Sequence, residues 1–80
     1  MSSFDHYSAA EKIAKLLESE GKGEWSRKIS NAMEESFSGT EILMALRWHL
    51  KECLDSLKDL SPTTVLEIKR LLVEIDPLLE

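Results

Sequence analysis

His49 and Cys53 stand four residues apart in a stretch that reads as helix, so an imidazole and a thiol would project from one side, one turn apart. Such a pair is half of a zinc site. A closed tetrahedral site needs four ligands, and the chain offers one further histidine, His6, and no second cysteine. The expectation is therefore no metal and no cofactor. Nucleophilic catalysis by Cys53 with His49 as its base meets a separate objection: a catalytic thiol needs a partly exposed, electropositive setting. Cys53 is instead ranged along its helix with Leu50, Leu54 and Leu57. It is expected to pack as a small hydrophobe, with His49 at the core edge making a hydrogen bond. Glu34 and Glu35 supply adjacent carboxylates on a polar face, with nothing apolar beside them to raise a pKa, and are read as solvated. No constellation specific for a reaction emerges, and the chain is not expected to be an enzyme.

The element that would carry His49 and Cys53 is also the most informative one. From Thr40 to Leu60 the residues Ile42, Leu43, Leu46, Leu50, Cys53, Leu54, Leu57 and Leu60 recur at the spacing of three and four that lines one helical face. Taking Leu46 as reference and turning about 100° per residue, Met44 and Trp48 fall near the opposite pole, among Lys51, Glu52, Asp55 and Asp59, with Arg47 beside them. An apolar pair with a charged rim is the pattern of a small interface. Either another part of the molecule covers it, for instance Phe4 and Tyr7 or the second helix, or it awaits a partner.

Three more helices complete the reading. The first is expected over about 8–20: Ser8-Ala9-Ala10-Glu11 has the form of a capping box, Ala10, Ile13, Leu16 and Leu17 make the stripe, and Gly21-Lys22-Gly23 ends it. Phe4 and Tyr7 would fold back on this helix, or extend it by a turn from Ser3. The second runs over about 24–36, with Trp25, as a core-edge anchor, Ile29, Ala32, Met33 and Phe37 on one side. The third, over 40–60, starts at a cap supplied by Ser38 or Thr40. The fourth covers 62–75, because Ser61-Pro62 places serine at the cap and proline at the first helical position, where its missing amide is not needed. Val65, Ile68, Leu71, Leu72 and Ile75 are its stripe, which Leu66 and Val73 widen beyond what one neighbour could cover. Asp76-Pro77 should stop it, since a residue before proline is biased out of helical geometry. No segment alternates as a strand would. Short connections make sequential antiparallel packing the simplest arrangement, so the fold class expected is all-α: one compact, antiparallel four-helix bundle-like domain spanning 1–80.

Composition agrees with a folded domain. Of the 80 residues, 42% are hydrophobic and 31% charged, far from disordered chemistry. The net charge of -5 comes from 15 acidic and 10 basic residues mixed along the chain, leaving no basic stripe to follow a phosphate backbone. Nucleic acid is thus not an expected partner. No apolar run approaches the roughly 20 residues that cross a bilayer, and no charged-then-apolar signal opens the sequence, so no membrane association is expected. A single cysteine suits a reducing compartment, and the location expected is cytoplasmic.

Glu24-Trp25, followed by Phe37-Ser38-Gly39-Thr40-Glu41-Ile42-Leu43-Met44-Ala45-Leu46-Arg47-Trp48-His49-Leu50, resembles a pattern of small bacterial all-helical proteins to which no activity is attached. The resemblance covers about half the chain and implies a bacterial origin and the unity of the second and third helices. The function expected from the residues is a non-catalytic protein acting through protein contacts or self-association, as a homodimer for example, with Met44, Arg47, Trp48, Lys51, Glu52 and Asp55 as the interaction patch. One alternative is an immunity or antitoxin-type protein that neutralises a basic partner enzyme by charge complementarity. Another is a weak helix-turn-helix regulator with Ser38-Gly39 in the turn, which Glu41, Glu52, Asp55 and Asp59 on the presumed recognition helix oppose.

Overall fold

Asp5, not Ser8, opens the first helix. In the structure, a computed structural model that describes residues 5–35 and 38–79, the Asp5 carboxylate accepts from the amides of Tyr7 and Ser8, both at 3.1 Å, and from the Ser8 hydroxyl. Ser8 is thereby committed as a donor to Asp5. Helix α1 spans His6–Ser19 and ends at Gly21, whose φ of +80° is the left-handed exit that glycine adopts without strain. The expectations placed on Ser3, Phe4, Ser36 and Phe37 lie outside the described residues.

Helix α2 spans Gly23–Glu35 and α3 spans Gly39–Ser56. Ser38, rather than Thr40, caps α3, its hydroxyl accepting from the Glu41 amide at 3.2 Å. That helix is one turn shorter than its apolar pattern suggests. Leu57 is already extended, with φ -106° and ψ 111°, and Leu57 and Leu60 reach the core from a non-helical connection. Two side chains half-bury equally well from an extended segment, so the three-residue spacing of these leucines overran the helix.

Helix α4, Pro62–Ile75, begins as expected at Ser61-Pro62, with Ser61 accepting from the Thr64 amide. It also ends at Ile75 as expected, but not because Asp76 leaves helical geometry. Asp76 keeps helical geometry at φ -51°, ψ -47°, and a 3-10 turn, Asp76–Leu79, continues the chain. Proline sits second in that turn, where it needs no amide partner, and Leu79 packs against the core, which offsets the steric bias on Asp76.

Contacts run around a ring, α1 on α2, α2 on α3, α3 on α4 and α4 on α1. The fold is an all-α, antiparallel four-helix bundle, with no strand among the described residues. Ala10, Ile13 and Leu17 of α1, Ile29 of α2, Leu46, Leu50 and Cys53 of α3, and Ile68, Leu71 and Ile75 of α4 have no exposed surface. Each large aliphatic among them contributes about 1.5 to 3 kcal/mol by leaving water. Small residues, Ala10 and Ala14 of α1 and Ala32 of α2, are also part of the buried core.

One joint ties distant parts of the chain. A capping box normally has a carboxylate three residues after the cap, reaching back to the cap's own amide. In α4 that place is held by Thr64, and the carboxylate comes from Glu20 at the end of α1. Glu20 accepts from the Ser61 amide at 2.9 Å, from the Ser61 hydroxyl at 3.0 Å and from the Thr64 hydroxyl. Thr64 is fully buried. Beside this joint, Lys22 Nζ meets Asp59 at 3.0 Å, linking the α1 to α2 turn with the α3 to α4 connection a second time.

Candidate interaction surface

Because Leu46, Leu50 and Cys53 face inward without exposed surface, the helical turn carries Met44 and Trp48 to the outside of α3. Met44 is 52% exposed and Trp48 64% exposed. With Arg47, Lys51, Glu52 and Asp55 they line an open surface groove of about 760 Å³, so the six residues predicted as a patch are brought together on one face. Tyr7 does not cover them. Its hydroxyl approaches the start of α3, 3.8 Å from where a side chain on Gly39 would begin, and its ring borders a separate depression with Met33 and Ile42.

Charges on the rim are anchored unequally. Arg47 Nη1 lies 3.7 Å from Asp76 Oδ1, an ion pair too long for a hydrogen bond. That oxygen is buried and has no hydrogen-bond partner among the described residues. With both side chains about one-third exposed or more, the pair contributes at most about 1 kcal/mol. The surface is thus an open groove with an apolar centre and a rim of both signs.

His49 and Cys53 are placed where no joint chemistry follows. Cys53 has no exposed surface, and burial, with a smaller push from the Glu20 charge, raises its thiol to about 11, so almost none is thiolate at neutral pH. His49 sits half-buried in a polar groove with Lys28, Asn31 and Glu35. The hydrogen bond expected of it is not made at Nδ1, which is buried and unpartnered among the described residues. No group of three or more His, Cys, Asp or Glu side chains gathers in metal-binding range among those residues. Glu34 and Glu35 are exposed. Trp25 packs at the core edge with Lys28 Nζ 4.2 Å from its ring centre, a cation-π contact.

Leu66 and Val73, which widen the α4 stripe beyond what one neighbour could cover, are 57% and 67% exposed, and Val73 borders Lys69, Arg70 and Glu74. Sequence reasoning missed the Glu20 joint altogether. Its one local signal is Ser61-Pro62-Thr63-Thr64, a capping sequence with no carboxylate at its third helical position.

Among the described residues no helix is long and apolar enough to cross a membrane. Comparison with protein-family models, curated proteins and solved structures gives no match for the chain.

Proposed function

We propose that this is a non-catalytic cytoplasmic protein that works through protein contacts, with the Met44 and Trp48 groove of α3 as its docking surface. One observation carries the reading: a tryptophan and a methionine one turn apart are both more than half exposed on a helix whose other face is fully buried. Isolated exposed apolar residues are ordinary, but a large aromatic beside a methionine, rimmed by Arg47, Lys51, Glu52 and Asp55, has the composition of an interaction centre. Tryptophan and arginine are also the residues that most often dominate binding energy.

Trp48→Ala tests the reading. Since the ring contributes little to the core, the melting temperature should stay within about 4 °C of wild type, in line with surface changes of roughly 0.5 kcal/mol. Self-association in sedimentation, or capture of a defined partner, should weaken by roughly 2 kcal/mol or more. Unchanged association in both Trp48→Ala and Met44→Ala would remove the groove from consideration.

A further inference from the structure

A second inference stands apart from the α3 groove and concerns the corner where α1 ends and α4 begins. We infer that Glu20 is a latch: its carboxylate holds the α3 to α4 connection and the first turn of α4 shut over Cys53, and neutralising it opens that corner while the rest of the bundle stays folded.

Geometry is the first ground. Three donors from residues 61 and 64 converge on one carboxylate from a helix some forty residues earlier. Ser61 and Thr64 also share a hydroxyl contact at 3.1 Å, so the corner forms one small network. Without the carboxylate, the half-buried Ser61 amide loses its acceptor, and the buried Thr64 hydroxyl keeps only the Ser61 hydroxyl as a partner, so the network that closes the corner falls from four contacts to one. Thin local packing is the second ground. Leu57 and Leu60 are half-buried, Lys58, Pro62 and Thr63 are exposed, and the neighbouring Lys22–Asp59 pair has its aspartate side chain 72% exposed. Segments of this kind open at a lower free energy than a core does. Cys53 marks the inner side of the corner, because the chain leaves α3 at Leu57, whose amide bonds to the Cys53 carbonyl.

Charge gives the latch its sense. Glu20 is faced by Asp59 from the α3 to α4 connection, itself paired with Lys22, by the Cys53 thiol from α3 and by the Ser61 and Thr64 hydroxyls from α4. The Thr64 hydroxyl and then the Ser61 amide pull the Glu20 carboxyl below its ordinary value, against the opposing push of burial and of Asp59. A depressed native value means the latch is complete above the ordinary glutamate pKa of about 4.3 and is lost as pH falls through the lower native value. At neutral pH it is shut.

The test labels Cys53 in the full chain with dipyridyl disulfide, a reagent that still reacts with thiols in acid, and refers each rate to that of a free cysteine peptide. Glu20→Gln, whose amide cannot accept all three bonds, should label at least about tenfold faster than wild type at pH 7, with a urea dependence clearly shallower than that of global unfolding. Ser61→Ala should move the same way, and Lys22→Ala should not. Between pH 5 and about pH 3 the referred wild-type rate should climb while that of Glu20→Gln stays level. Labelling of Glu20→Gln within twofold of wild type, or acceleration with the full urea dependence of unfolding, overturns the latch. Should Glu20→Gln fail to fold, wild-type hydrogen exchange decides. Protection at Thr64 and Val65 falling ahead of Leu17 and Ile29 as pH drops supports the latch, and a parallel fall overturns it.

Discussion

Single residues here are constrained by backbone as much as by contacts. Gly21 has a φ of +80°, and a side chain built on it would meet nothing within 4 Å. The cost of Gly21→Ala is therefore backbone strain alone, about 1 to 2 kcal/mol in a chemical denaturation curve. A loss below about 0.3 kcal/mol would show that the turn readjusts. Gly21 was legible in the sequence because it follows a helical stripe and precedes a second glycine. Asp5 was hidden by Ser8, an equally good cap three residues on; the two compete, and the carboxylate, accepting two amides and a hydroxyl, prevails. Glu20 itself gave no signal, for its partners are 41 and 44 residues away, and only the missing carboxylate of the Ser61 cap hints that one must come from elsewhere.

At the level of elements, apolar periodicity fixes which face of a helix is buried more firmly than where the helix ends. The α3 stripe placed Leu46, Leu50 and Cys53 correctly in the core, yet overran at Leu57 because an extended segment can bury the same side chains. The α4 stripe is wider than one neighbour can cover: Leu66 and Val73 adjoin buried positions on the helical wheel, and the ring of neighbours leaves their side open. Leu46 and Leu50 provide the quantitative check. Both are fully buried in the element that contacts α2 and α4, so Leu46→Ala or Leu50→Ala should cost about 2 to 5 kcal/mol through lost transfer energy and the cavity left behind. A domain of this size has roughly 4 to 12 kcal/mol in total, so either variant should unfold at far lower urea. Loss below about 1 kcal/mol in both would place the centre of the core elsewhere.

For the molecule as a whole, what the sequence could say about the candidate site was its phase on α3, which follows once the opposite face is core. Whether another part of the chain lies over Met44 and Trp48 depends on how the remaining helices close. That is decided by α1 and α4 meeting each other and by Tyr7 turning toward Gly39. The same closure gives the two tryptophans different surroundings, with a spectroscopic consequence. Trp48 emits from water in the native fold, while Trp25 lies half-covered under the Lys28 ammonium at the edge of α2. Fluorescence should accordingly divide the labour between them. In Trp25→Phe, urea should change the emission maximum only slightly while circular dichroism is lost in full. Wild-type emission should instead shift along with circular dichroism, because Trp25 leaves its place on the core. A collisional quencher such as acrylamide should reach Trp48 almost as freely in the folded protein as in the unfolded one. The molecule thus carries one optical reporter of its own folding and another, silent to folding, that will register whatever settles on α3.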